Sequence, residues 1–200
     1  MTDQTRRYRM TARADSQLET RRRITESAVA LHGSVGPAHT TMSAVAEHAG
    51  VRRSTLYRHF ADEAALFDAC SAHWAASNPP PDITRWAAVA DPEERLRVAL
   101  GELYAYYGRT SQMMENLLRD EQTSELVRER FAVFHLFLDA ASETLLRGRG
   151  VRGGARHRVA AAIGHALAFS TWRSLVAEQG LAPDAAVELM SRLAASAAHG

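Results

Sequence analysis

A short segment of this 200-residue chain, TTMSAVAEHAGVRRSTLYRHF at residues 40–60, contains the side chains best suited to binding a polyanion. It has the spacing of two short helices that meet at Ala49-Gly50-Val51. Arginine binds guanine edges and phosphates, and the hydroxyls of serine, threonine and tyrosine bind phosphate oxygens. The segment therefore predicts a contact with the major groove of DNA and with the phosphates along it.

Apolar residues of the same segment indicate which side of the second helix faces solvent. Leu56 and Phe60 share one side, and we expect them to pack on the apolar stripe that runs from Met42 to Ala49 in the first helix. At 100° per residue, Ser54 and Arg58 point away from Leu56. Two helices with this spacing and this outward chemistry are typical of a helix-turn-helix.

The order and spacing of these residues strongly resemble the tetracycline-repressor (TetR) family. The resemblance is carried by Thr40-Thr41, Ala49-Gly50-Val51, Thr55-Leu56-Tyr57, His59-Phe60 and Leu66. It implies that Thr41, Thr55, Tyr57 and His59 contact the DNA backbone, and that Arg52 to Ser54 form the base-reading end of the recognition helix. The complete predicted DNA-binding set is Thr41, Arg52, Arg53, Ser54, Thr55, Tyr57, Arg58 and His59.

Two positions depart from the family pattern. Arg52 stands where a small capping residue is usual, so the recognition helix is expected to lack a side-chain cap at its start. Glu63 stands where a basic residue often reaches a phosphate. We expect one phosphate contact to be missing, and the arginines at 6, 7, 9 and 13 or those at 21–23 are candidates to compensate.

The elements that must position this segment are predicted to be helices throughout, because no stretch alternates with period two. The predicted organisation is a flexible basic arm at 1–14, a three-helix helix-turn-helix domain at 15–61, and a helical bundle for effector binding and dimerisation at 62–200. Within the bundle, helices are expected to start after Asp62 and Asp91, and a shorter one after Ser111. Two final helices are expected at about 155–178 and 184–198.

Charge and composition agree with this division. Residues 1–60 carry ten arginines and five acids, whereas residues 61–200 carry fourteen arginines and eighteen acids. Basic charge is thus concentrated where DNA is expected.

No apolar run is long enough for a membrane span or a signal peptide, so a cytoplasmic location is expected. The single cysteine, Cys70, is expected to be a small buried residue.

The second half of the chain is rich in large, adaptable side chains. The TetR resemblance implies a pocket for a small molecule among the middle helices, and such pockets are mostly apolar with a few polar groups. Candidate ligand-binding residues are Tyr104, Tyr107, Met113, Met114, Phe131, Phe134, His165, Phe169 and Trp172. The sequence names no effector.

The last two helices carry small residues at Ala160, Gly164 and Ala168 and an apolar stripe at Val187, Met190, Leu193 and Ala197. The resemblance implies that they pair with their copies in a four-helix bundle, giving a homodimer. Two recognition helices related by a two-fold axis fit half-sites one turn of DNA apart, and hence a palindromic operator.

Two alternatives stay open. An enzyme is the first, but the dinucleotide-like string at 148–153 follows a helix and has no acid about 20 residues later. No two histidines are three or four residues apart, so no zinc site is predicted. Neither a catalytic residue nor a cofactor is predicted. The second alternative is a DNA-binding regulator without a ligand. The sequence does not separate repression from activation, or show whether the arm touches DNA.

Overall fold

A computed structural model describes the backbone of residues 3–199 and the side chains of residues 12–199. The protein is all-helical over this range, as predicted from its periodicity. The helices are α1 (Asp3–Ser34), α2 (Met42–His48), α3 (Arg53–His59), α4 (Glu63–Ser77), α5 (Ile83–Ala87), α6 (Pro92–Asp120), α7 (Glu125–Leu146), α8 (Gly153–Leu167), α9 (Phe169–Trp172) and α10 (Pro183–Ser196). A 3₁₀ turn at Pro37–His39 precedes α2, and a π-helical turn at Arg173–Glu178 follows α9.

Helix α1 is longer than expected. Residues 1–14 were expected to be a flexible arm, but α1 already begins at Asp3. The reason is that the first glycine of the chain is Gly33 and the first proline is Pro37, so no helix-breaking residue interrupts α1 before its last turn. A helix therefore extends into a polar segment that has no apolar stripe to guide a sequence-based assignment.

The chain divides into two compact units. One comprises residues 1–77 and 115–130, and the other comprises residues 78–114 and 131–200. The core of the first contains Ile24 and Ala28 of α1, Val45 of α2 and Leu56 of α3, together with Leu66 and Cys70 of α4. Helix α4 thus packs in the same core as the helix-turn-helix, on the N-terminal side of the division rather than with the bundle. The boundary expected at 61–62 does not separate these units.

Two predicted helix starts after residue 90 differ in outcome. The carboxylate of Asp91 accepts a hydrogen bond from the main-chain N–H of Glu94 at 2.9 Å, which is the N-cap that the sequence predicts for α6. Ser111, in contrast, starts no helix, because α6 continues through it to Asp120. The segment around it includes no proline, so every residue there can donate the main-chain N–H that the helix needs.

The helix expected at 155–178 is interrupted at Ala168, whose ψ of 135° is extended. Three hydroxyls donate to main-chain carbonyls at this interruption, and the carbonyl of His165 also accepts from the N–H of Ala168 at 3.2 Å. Tyr104 donates to the oxygen of Ala166 at 3.0 Å, Tyr107 to that of Leu167 at 2.6 Å, and Thr171 to that of His165 at 2.6 Å. The periodicity of apolar residues continues across the break, which is why the sequence alone predicts one helix.

Candidate nucleic-acid interface

The helix-turn-helix is formed by α2 and α3, and each part of it has a local cause. The hydroxyl oxygen of Thr41 accepts a hydrogen bond from the main-chain N–H of Ala44 at 3.1 Å and so caps α2. Gly50 adopts a φ of 62° in the turn, a conformation that favours glycine. The N–H of Val51 then donates to the oxygen of Ala46 at 2.9 Å and fixes the direction of the chain into α3.

Helix α3 separates an apolar side from a polar side as the sequence predicts. Leu56 and Phe60 are 0% and 1% exposed and belong to the core of the first unit. The predicted DNA-binding residues lie at the start and on the other side of α3, except for Thr41, which precedes α2. Exposed members are Thr41, Arg52, Arg53, Ser54, Tyr57 and Arg58, and the half-buried members are Thr55 and His59.

The start of α3 has no side-chain cap. Arg52 occupies the N-cap position without a capping hydrogen bond from its side chain, as its residue type predicts. Its main-chain oxygen accepts from the N–H groups of Thr55 and Leu56 at 2.8 and 3.1 Å. The side chain of Arg52 is exposed at the amino end of α3.

Arg21 supports the end of α3, a role that sequence analysis did not assign. Its guanidinium donates to the main-chain oxygen of His59 at 2.5 Å, and its Cζ lies 4.1 Å from the centre of the Phe60 ring. A cation at the carboxyl end of a helix is favoured by the helix dipole. The separation of 38 residues between donor and acceptor explains why local spacing gave no signal for this contact.

The neighbouring arginines of α1 differ in their surroundings. Arg22 forms ion pairs with Glu19 at 2.7 Å and Glu26 at 2.6 Å, so its charge is already matched. Arg23 is exposed, and its charge helps to lower the pKa of Glu19.

The surroundings of His59 disfavour the protonated form of its imidazole. Partial burial of the imidazole is the largest cause, and the positive charges of Arg58 and Arg21 add to it. Together they hold the pKa of His59 below its ordinary value. These surroundings therefore favour the neutral imidazole over the imidazolium.

The predicted effector-binding residues lie in the second unit, and most of them are buried. Tyr107 is the centre of a ring cluster and contacts Tyr104, Tyr106, Phe134, Phe169 and Trp172, with centroid distances of 5.2 to 6.4 Å. Phe131 stacks on Phe134, and Met114 is fully buried. Met113 is half-buried, whereas His165 is exposed and so stands apart from this cluster.

The described residues contain neither a metal-binding cluster nor a membrane-spanning helix. No three histidine, cysteine, aspartate or glutamate side chains are grouped so as to hold a metal ion. Nor does any helix of the described range combine the length and the apolar character needed to cross a bilayer.

The fold and the exposed face of α3 define a helix-turn-helix DNA-binding protein. Residues 24–70 match the tetR family of bacterial regulatory proteins. The helix-turn-helix segment of the chain is thus similar to that of the TetR family. No curated protein matches the chain.

Solved structures of low sequence identity share the fold over most of the chain. A TetR-like transcriptional regulator from Rhodococcus sp. RHA1 is 21% identical, with a TM-score of 0.64 over 90% of this chain and 96% of that one. NalD, the secondary repressor of the MexAB-OprM multidrug efflux pump in Pseudomonas aeruginosa, is 20% identical, with a TM-score of 0.60 over 92% and 97%. The TetR-family regulator PfmR from Thermus thermophilus is 21% identical, with a TM-score of 0.58 over 89% and 95%.

Proposed function

We propose that the protein is a homodimeric repressor that binds a palindromic DNA operator and leaves it when a small, largely apolar molecule binds. The observation that carries the DNA contact is the exposed face of α3. It presents two pairs of exposed side chains four residues apart, Arg53 with Tyr57 and Ser54 with Arg58, whereas Leu56 and Phe60 are buried. These groups match the phosphates and base edges of a major groove.

Dimerisation through α8 and α10 is the second part of the proposal. Leu189 and Leu193 of α10 are 46% and 42% exposed in the single chain, one helical turn apart. On α8, Gly164 is exposed and has open space where a side chain would project. Large apolar groups beside small ones allow two helices to approach closely, which fits a bundle of four helices about a two-fold axis.

An apolar effector is favoured by the state of the tyrosines in the ring cluster. The hydroxyls of Tyr104 and Tyr107 already donate to main-chain oxygens, so these residues offer a ligand their ring faces rather than their polar atoms. Burial raises the pKa of both phenols, and they stay neutral. A ligand that replaces part of this ring packing would be stabilised by apolar burial.

The proposed mechanism is a population shift. The effector binds more tightly to a form whose two recognition helices are wrongly spaced for successive major grooves, and so draws the protein away from DNA. Helix α4 is the proposed link, because Leu66 and Cys70 pack against the helix-turn-helix core and the chain continues from α4 into the second unit.

The proposal is tested by a gel-shift assay against the DNA that flanks the protein's own gene, repeated with apolar candidate molecules. Specific binding by a dimer, weakened by one of these molecules, is the expected result. Binding that no apolar molecule alters would favour a ligand-independent regulator. Binding that does not distinguish this DNA from random duplex, or a chain that stays monomeric on DNA, contradicts the proposed operator recognition.

A further inference from the structure

The last turns of α6 supply hydrogen-bond donors to the carboxyl end of α1. The side-chain amide of Asn116 donates to the main-chain oxygens of His32 and Gly33, at 2.9 Å in each case. The guanidinium of Arg119 donates to the main-chain oxygen of Val35 at 2.8 Å. Carbonyls at a helix end lack partners within the helix, and a nearby cation is favoured by the helix dipole. The end of α1 is therefore capped by side chains from α6.

Asp120 extends this network to the segment before α2. Its buried carboxylate accepts from the main-chain N–H of Ala38 at 2.9 Å and from Nε of Arg119 at 2.7 Å. Arg119 also donates through Nη1 to the side-chain oxygen of Asn116 at 3.1 Å. All three side chains are thus joined. Loss of the Arg119 cation would leave the buried carboxylate of Asp120 without its charged partner, which is unfavourable.

The close approach of α6 to this segment depends on Gly36. Its φ of 97° lies in the region that favours glycine. A Cβ atom at this position would overlap Nη2 of Arg119 and Oδ2 of Asp120. The backbone of residue 36 therefore fits against the two charged side chains only because it carries no side chain.

The segment held by α6 leads directly into the helix-turn-helix. Thr40 is buried and donates through its hydroxyl to the oxygen of Gly36 at 2.8 Å, and the next residue, Thr41, caps α2. We propose that Asn116, Arg119 and Asp120 are positioning residues that set operator affinity by fixing where the helix-turn-helix begins. They do so without touching DNA.

This inference rests on the proposed function and adds a second point of control beside α4. Helix α6 is continuous from Pro92 to Asp120, and residues 92–114 belong to the other compact unit. A rearrangement of α6 that withdraws its last turn from α1 would release the network. The helix-turn-helix would then lose its fixed starting point, with no change in the side chains of α3.

The test is the Asp120→Asn variant of the full chain, with Asp139→Asn as its matched control, because Asp139 is exposed on α7. The probe is a duplex selected from a random library with the wild-type protein. For Asp120→Asn we expect affinity to fall roughly tenfold. The ratio of affinities for matched and mismatched duplexes should not change, and amide hydrogen exchange should speed up at residues 36–41. The control should behave as wild type.

A second variant keeps the test decisive if Asp120→Asn does not fold. Arg119→Lys keeps the charge but loses the fork that joins three partners, and the side chain is 51% exposed, so its replacement opens no core cavity. We expect a smaller loss of affinity, again with unchanged discrimination. Leu145→Val, in the core of the other unit, serves as a destabilised comparison.

Three outcomes overturn the inference. One is a folded, dimeric variant that binds the duplex as tightly as wild type. Another is loss of discrimination, which would place these side chains at the DNA. The third is an equal loss of affinity in Leu145→Val at matched loss of stability, which would make the effect one of general stability. Failure of the wild-type protein to select any duplex would instead refute the proposed function.

Discussion

Arg53 lies over the ring of Tyr57 one turn further along α3, with its Cζ 5.5 Å from the ring centre and its Nη2 3.3 Å from the hydroxyl oxygen. Both side chains are exposed. Contact with the ring favours this orientation of the guanidinium, and an ordered fork loses less entropy when it binds a base edge. In our proposal, Arg53 reads a base and Tyr57 contacts a phosphate.

Substitutions at these two positions should therefore have different signatures. Arg53→Ala should weaken operator binding by about 1–3 kcal/mol and relax base preference at one position, whereas Tyr57→Phe and Thr55→Ala should weaken binding to all sequences alike. Titrations across a series of single-mismatch duplexes separate the two effects. Arg85→Ala, an exposed arginine on α5, is the control for loss of charge and should change little. Equal losses on every sequence for Arg53→Ala would remove it from the base-reading residues.

Arg21 contributes to the lowered pKa of His59, which gives a direct test of its placement. Arg21→Met removes a nearby positive charge, so the pKa of His59 should rise toward its ordinary value. Arg23→Met is the matched control, because Arg23 is not among the charges that act on His59. An NMR titration of the imidazole signals measures both variants. An unchanged pKa in Arg21→Met would mean that the guanidinium does not rest on the end of α3 in solution.

The helix-turn-helix was predictable because local signals specify it fully. The cap at Thr41, the turn at Gly50 and the burial of Leu56 and Phe60 each follow from residue type and spacing within a short segment. The support from Arg21 and the network around Asp120 were not predictable, because they join residues 38 and 82 positions apart. No periodicity or motif reports such a pair.

In the second unit, too, local sequence patterns miss a feature that depends on residues far apart in the chain. Apolar spacing predicted that residues 155–178 are helical, but it did not show the interruption at Ala168. That interruption is stabilised by hydroxyls from Tyr104 and Tyr107, which lie about 60 residues earlier on α6. Alanine has high helix propensity, so its extended conformation here is imposed by tertiary hydrogen bonds.

Those hydroxyls provide the next prediction. Tyr107→Phe and Tyr104→Phe each leave a buried carbonyl without its donor, which should lower the free energy of unfolding by about 1–3 kcal/mol. Tyr106→Phe is the control, because within the described side chains the Tyr106 hydroxyl has no such main-chain acceptor. Urea unfolding followed by circular dichroism measures all three. Similar stability in all three variants would show that the hydroxyls do not hold the break at Ala168.

His32 should make stability depend on pH. Burial lowers its pKa from an ordinary 6.5 to about 4, and the charge of Asp120 only partly opposes this. Its ring stacks near Phe67, and its Nδ1 lies 3.4 Å from the sulfur of Cys70. Because the folded pKa lies below the unfolded one, the unfolded chain takes up the proton first. The neutral ring's contribution is full above about pH 6.5 and declines as pH falls toward 4.

The expected loss is about 2 kcal/mol in the free energy of unfolding between about pH 6.5 and pH 5. Urea unfolding at several pH values measures it. His32→Gln should remove most of this dependence of the free energy of unfolding on pH, even though the variant is less stable at the start. His48→Gln, at an exposed position of α2, should retain the dependence. A slope that is the same in wild type and His32→Gln would contradict the burial of a neutral imidazole.

The proposed dimer interface gives the last prediction. Leu189→Glu and Leu193→Glu place charges on the exposed face of α10, where a partner helix would have to desolvate them. The double variant should be a folded monomer and should bind a palindromic operator far more weakly. Leu136→Glu on α7 is the matched control, because Leu136 is 66% exposed and lies outside the proposed interface. Sedimentation equilibrium measures the mass of each protein. A dimeric double variant would exclude α10 from the interface, whereas a monomeric Leu136→Glu would move the interface to α7, since the same charge would then act at that helix.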